Sequence, residues 1–170
     1  MSERGKIRVG ITQGDINGIG YEIIFKTFEN PEIFDICTPI VFGSPKAAAY
    51  HRKALEMEIT YNAIEKAADA QAGKLNIVNC NNDELHIELG CSSAEAGEAA
   101  YQALEKAVEA YKRGEIDVIV TAPIDKNSIQ SEQFKFPGHT EYLQECCNEG
   151  DKALMLLCSG DLRIAVATSH

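Results

Sequence analysis

Residues 94–114, AEAGEAAYQALEKAVEAYKRG, constrain the fold more than any other stretch. Ala99, Ala103, Leu104, Ala107, Val108 and Tyr111 recur every three or four residues, which gathers them on one face of a helix. Ser92 or Ser93 caps its start. Glu95 and Glu98 lie near that start and Lys112 and Arg113 near its end, signs that suit the helix dipole. Gly114 is the stop signal. Ile116-Asp117-Val118-Ile119-Val120 follows and reads as a buried strand. A one-faced helix running straight into a strand calls for a sheet to cover.

The chain before it supplies that sheet. Residues 6–12, KIRVGIT, are strand-like, and a glycine-rich turn, QGDINGIG, leads into a helix over about 20–29 that Pro31 ends. Residues 38–42 form a second strand. Ser44 and Pro45 open a helix as N-cap and first-turn proline, running to about Met57. A short strand is open at Ile59, residues 60–73 read as helix or loop, and residues 75–79 are a strand. After the long helix and its strand, residues 139–147 read as a helix. Residues 152–158 and 162–167 read as strands joined by a tight turn at Gly160-Asp161, a hairpin. Alternating strands and helices predict an α/β fold with a mostly parallel sheet, made mixed by the late antiparallel pair. Residues 162–167 read as a core strand, yet only three residues follow, with no closing helix or polar tail. The expectation is a longer protein cut at His170.

Composition narrows the partners. Sixteen basic and 26 acidic residues give a net charge of −10. That argues against a nucleic-acid or anionic-membrane surface and leaves room for a local phosphate pocket. No apolar run approaches ~18 residues, and the N-terminus lacks the apolar core of a secretory signal. The six cysteines form no CxxC pair and read as small buried hydrophobes in a reducing compartment, so a cytoplasmic location is expected.

Chemistry concentrates in residues 121–141, TAPIDKNSIQSEQFKFPGHTE. Thr121, Asp125 and Lys126 follow a strand, and His139, Thr140 and Glu141 open a helix. A lysine at a strand exit pairs with phosphate or carboxylate, or is simply solvated. Free N–H groups at the helix start welcome an anion and disfavour a protonated His139. A plain capping role for His139 or Thr140 stays open on the residues alone. Gly14, Gly18 and Gly20 do not have the spacing of a dinucleotide fingerprint, and no GK[ST] makes a P-loop. The turn is either a tight strand–helix connection or a ligand-facing edge presenting Thr12, Asp15 and Asn17. His170 ends a strand, as a metal ligand does, but one histidine is not a metal site. His51 and His86 look unrelated to it.

GITQGDINGIGYEII, VTAPIDK, FPGHTEYL and VATSH, in this order, resemble the N-terminal half of the 4-hydroxythreonine-4-phosphate dehydrogenase (PdxA) family. The resemblance implies a fold of the isocitrate/isopropylmalate dehydrogenase type, three-layer α/β/α with two domains and a cleft between them. It places the first domain, in part, at residues 1–124 and the start of the second at 125–170. It implies a homodimer with shared active sites and NAD-dependent oxidation of 4-phosphooxy-L-threonine, with decarboxylation to 3-amino-2-oxopropyl phosphate, in pyridoxal 5'-phosphate biosynthesis. It implies a divalent metal, zinc, magnesium, cobalt or manganese. His139 and Thr140 match the family's substrate-contacting residues, and His170 matches the first of three metal ligands. Lys126 is a catalytic candidate lining the cleft. The cofactor site falls mostly in the family's later half, so no residue is assigned to it. Ile16 and Tyr21 stand where the family usually has proline, and Asp125 where it usually has asparagine. The departure at Asp125 leaves open related substrates of the 4-phosphothreonate or phosphoerythronate type. A non-catalytic phosphate-binding relative and an acyl- or phosphoryl-transfer enzyme on a similar scaffold are the competing readings.

Overall fold

The computed structural model describes residues 5–81, 84–147 and 152–166. The first compact unit ends at Lys135 and the second begins at Phe136. In the first, β1 (Ile7–Thr12), α1 (Gly20–Phe28), a short α2 (Ile33–Ile36), β2 (Cys37–Gly43), α3 (Pro45–Ala54), β3 (Tyr61–Ile64), β4 (Leu75–Asn79), α4 (Ala94–Lys112) and β5 (Val118–Thr121) follow one another. The second contains α5 (His139–Cys147), β6 (Met155–Ser159) and β7 (Leu162–Val166).

The first unit is built on a five-stranded sheet in the order β3-β4-β2-β1-β5, with every neighbouring pair parallel. Side chains of β2 alternate between two cores because a strand has period two. Val41 joins Ile11, Leu75 and Ile77 under α1 and α3, while Ile40 and Phe42 join Val78 under α4. Both faces are covered, so every residue of β2 is buried. Alanines at 103, 107 and 110 keep the packed face of α4 shallow. The expected caps are present: Ser44 accepts from the Ala47 amide and Ser93 from the Ala96 amide, each at 3.2 Å. Gly114 takes φ +70°, the left-handed stop of α4.

Four elements differ from the sequence reading. Helix α3 stops at Ala54 rather than near Met57, because Glu56 adopts φ 53°. Residues 60–73 hold β3 and a 3₁₀ turn at Ala67–Asp69 rather than a helix. The strand at 116–120 begins later, at Val118, and lies at a sheet edge with Val118 and Val120 exposed. An edge strand has a neighbour on one side only, so apolar composition alone did not bury it. The core strand expected at 162–167 is β7, exposed along most of its length. β7 pairs only with β6, antiparallel, in a separate two-stranded sheet. The parallel strands and the antiparallel pair therefore occupy different sheets. No helix among the described residues is long and apolar enough to cross a membrane.

Topology selects one end of the first sheet. The chain passes from β1 to β2 on one side of β1 and returns from β4 through α4 to β5 on the other. The loops leaving the C-terminal ends of β1 and β5 meet at this switch point, where the Asp15 amide donates to the Pro123 carbonyl. Gln13 follows β1 at this end of the sheet, 0% exposed. Its Nε2 donates to Asn81 Oδ1 (2.8 Å) and the Ala99 carbonyl (3.1 Å). Its Oε1 accepts from the Tyr21 hydroxyl (2.9 Å) and the Ser44 amide (2.8 Å). All four hydrogen-bonding positions of the side-chain amide are used.

Gln13→Leu keeps the size and removes those four bonds. It is expected to lower the unfolding free energy by roughly 1–3 kcal/mol, because Asn81 Oδ1 loses its buried donor while the Ala99 carbonyl, the Tyr21 hydroxyl and the Ser44 amide each keep a second bond. The midpoint of a urea denaturation curve measures this, and an unchanged midpoint would show that the network contributes no net stability.

Candidate functional site

The turn after β1 is shaped by close backbone approach. A Cβ on Gly14 would lie 2.2 Å from the Pro123 carbonyl oxygen, and Gly14 also has φ +69°. A Cβ on Gly20 would lie 2.1 Å from the Gln13 carbonyl oxygen. Only glycine fits at either position. The Asp15 amide donates to the Pro123 carbonyl at 2.9 Å, which joins this turn to the loop leaving β5. Asp15 Oδ1 accepts from the Asn17 amide at 2.9 Å, an Asx turn.

Asn17 then clamps a segment more than seventy residues away. Its Oδ1 accepts from the Glu88 amide (2.8 Å), and its Nδ2 donates to the Cys91 carbonyl (2.9 Å) and to Ser93 Oγ (3.2 Å). Ser93 is also the cap of α4, so one hydroxyl fixes both the helix and the turn. The neighbouring Ser92 hydroxyl donates to Asp125 Oδ2. Asp125 Oδ1 accepts from the Asn127 amide at 2.9 Å, folding the turn that carries Lys126. Gly97 packs against the same turn, where a Cβ would meet the Ser128 carbonyl at 1.8 Å. The buried side chains of Ile129 and Phe134 anchor the segment that follows. The Ser92 hydroxyl, with the Asn127 amide behind it, holds the Asp125 carboxyl below the usual carboxylate range.

The sequence candidates separate on this frame. Lys126 is exposed, one residue past Asp125. Thr12 is 1% exposed and Asn17 2%, so of the three residues expected to present to a ligand only Asp15 is part-exposed. Thr12 Oγ1 is buried without a hydrogen-bond partner among the described residues. In the second unit, His139 is the first residue of α5 and half-buried, and Thr140 beside it is exposed. His170 lies outside the described residues. His51, read as unrelated, is buried and reaches the Ile16 carbonyl from Nε2 at 2.7 Å. Its ring lies 5.4 Å from that of Tyr21. The basic residues around it in the sequence disguised a core position. His86 is exposed, as its setting implied.

Two implied groups are tested by this geometry. Among the described residues, no group of three or more His, Cys, Asp or Glu side chains is placed to hold a metal ion. The glycines at 14 and 20 face the protein's own backbone, so they open no cradle for a dinucleotide. The described residues therefore hold no complete metal site, and the glycine turn is not a dinucleotide cradle.

Comparison with known proteins gives consistent matches. Residues 35–170 match the family described as pyridoxal phosphate biosynthetic protein PdxA. A 4-hydroxythreonine-4-phosphate dehydrogenase of Bacteroides thetaiotaomicron is 54% identical over 168 residues, covering 99% of this chain and 46% of that protein. A protein of Oceanobacillus iheyensis, provisionally named D-threonate 4-phosphate dehydrogenase, is 33% identical, covering 95% of this chain and 49% of its own length. The crystal structure of a 4-hydroxythreonine-4-phosphate dehydrogenase from Burkholderia phymatum matches with a TM-score of 0.83 at 32% identity, covering 95% and 49% of the two chains. The chain thus spans about half the length of the curated relatives it matches.

Two tests follow from the geometry. A carboxyl whose folded pKa is depressed contributes stability above its unfolded pKa and loses it as pH falls through the folded one. The Asn127 amide resonance, followed by NMR, is therefore expected to titrate with a midpoint below the ~3.9 of an unperturbed aspartate. A midpoint at or above that value would contradict the Ser92–Asp125 bond. For the buried histidine, His51→Ala is expected to cost roughly 2–4 kcal/mol, from a lost buried hydrogen bond plus a cavity. His51→Gln, which keeps a donor, should recover part of the loss in thermal unfolding.

Proposed function

The chain belongs to the pyridoxal phosphate biosynthetic protein PdxA family, and from that premise we propose that the protein oxidises 4-phosphooxy-L-threonine with NAD. The product, after loss of CO₂, is 3-amino-2-oxopropyl phosphate. The observation that carries this reading is the 54% identity, across nearly the whole chain, to a relative named 4-hydroxythreonine-4-phosphate dehydrogenase.

The residues present have definite tasks in this reading. His139 and Thr140 bind the substrate from the first turn of α5, where the helix dipole favours negative charge. Thr140 contributes an exposed hydroxyl donor. Lys126, held out by the Asp125 turn, meets substrate charge as a point cation. His170 is proposed as one ligand of a divalent cation, zinc, magnesium, cobalt or manganese. Such a cation, when bound, acts as a Lewis acid on the substrate oxygen. We place the enzyme in the cytoplasm as a homodimer. A second substrate reading, D-threonate 4-phosphate, is favoured by the 33% identical relative.

The test uses the full-length protein, stripped of metal and resupplied with Zn²⁺ or Mg²⁺, with NADH absorbance as the readout. 4-Phosphooxy-L-threonine is expected to give metal-dependent NADH, and 4-phospho-D-threonate much less. His139→Ala is expected to lower kcat/KM by roughly 10²-fold through lost positioning. Lys126→Met should raise KM about tenfold, the worth of one charge-assisted hydrogen bond. His170→Ala should abolish the metal response. NADH from the D-threonate ester alone would transfer the assignment to that substrate, and none from either would remove both.

A further inference from the structure

We propose that the first unit binds a small aromatic monocarboxylate in a cavity at the N-terminal ends of β3 and β4. This cavity of about 300 Å³ lies between α1, α2 and the two strands. Phe28 from the end of α1, Phe34 from α2, Tyr61 opening β3 and Leu75 opening β4 form its apolar walls, and Asn62 and Lys74 complete the lining beside them.

The walls are fixed before any ligand arrives. Phe28 and Phe34 lie 5.7 Å apart with their rings tilted by 35°. The Tyr61 ring stacks on Phe25, 6.4 Å between centroids and 7° from parallel. The Arg52 guanidinium lies 5.6 Å from the Tyr61 ring centroid, and the Tyr61 hydroxyl donates to the Pro45 carbonyl at 3.2 Å. A ring held by stacking, a cation and a hydrogen bond does not need reordering on binding, which favours a preformed site. The volume is at the low end for small-molecule sites, room for one substituted ring.

Charge selects the ligand's polar group. Among the described residues, Lys74 is the only lining residue charged at neutral pH, and no carboxylate lines the cavity. That is a local reversal in a chain of net charge −10. One of the Lys74 ammonium donors goes to Gln71 Oε1 at 2.9 Å, which restrains the long side chain. An ammonium with three donors beside aromatic walls matches a carboxylate on a short stem from a ring.

The test is saturation-transfer NMR on the full-length protein with 3-phenylpropanoate, with 3-phenylpropanamide as its neutral counterpart. The carboxylate is expected to bind with a Kd below about 1 mM and about fivefold more tightly than the amide, the scale of one partly exposed charge pair. Lys74→Gln should bring the two to equal affinity. Thr60→Trp, a change at an exposed lining position away from the core, should abolish binding of both with an unchanged melting temperature. No transfer at about 10 mM, equal affinity of the two in the unmodified protein, or binding that survives in a folded Thr60→Trp variant would each overturn the proposal.

Discussion

A single buried amide holds the C-terminal end of the five-stranded sheet together. Gln13 leaves β1 and bonds at once to α1 through Tyr21, to the start of α3 through Ser44, to the exit of β4 through Asn81 and to α4 through Ala99. Each of those elements packs on the sheet by apolar burial, which has no preferred azimuth. The amide supplies the direction that burial lacks. It does so at low net cost because no donor or acceptor on it is left over, and the penalty for a buried polar group applies to unpaired ones. Tyr21, fully buried, adds its ring to the core and its hydroxyl to this network, and burial pushes its phenol well above the ordinary range. It stays a neutral donor at any physiological pH.

The same network explains a departure from the family resemblance. Where the family usually has proline, this chain has Ile16 and Tyr21. Loss of a proline frees φ and raises the entropy lost on folding. Here the turn between the two residues is instead immobilised by its neighbours. The Ile16 side chain is fully buried, its carbonyl accepts from His51, and Tyr21 is tied to Gln13. Long-range bonds have taken over a restraint that proline imposes locally, so the turn keeps its shape with a different sequence.

How much was legible in advance follows from the range of each interaction. Helix α4, its serine cap and its glycine stop are local patterns, and they were read to within two residues. Helix α5 was legible because proline and glycine precede His139 and restrict where a helix can begin. Strand β5 was read as buried because composition reports apolarity and not the number of neighbours a strand will have. The Asn17 clamp and the His51 bond were not legible at all. Their partners lie 71 to 76 and 35 residues away, and no local periodicity records such a pairing. The glycine turn was ambiguous between ligand cradle and tight connection. The steric distances at Gly14 and Gly20 decide for the connection, since the atoms a side chain would strike belong to the chain itself.

That leaves Asp125, where charge and shape compete as explanations of substrate preference. The carboxylate is part-exposed, and the field of an exposed charge is screened over roughly 8 Å at physiological salt. It therefore acts only on groups close to it. Its hydrogen bonds act differently. Two acceptor oxygens bind the Ser92 hydroxyl and the Asn127 amide, which sets the path of the chain through Lys126. An asparagine retains one acceptor oxygen and turns the other position into a donor, so it keeps the Asn127 bond and reverses the one to Ser92. A serine hydroxyl rotates to accept as readily as to donate, so the turn survives the exchange with little strain. Shape is then nearly common to the two residues, and what distinguishes this chain is one negative charge beside Lys126. Its effect on a phosphorylated ligand is repulsive and depends on salt, and it weakens as ionic strength rises, whereas a difference in shape would not.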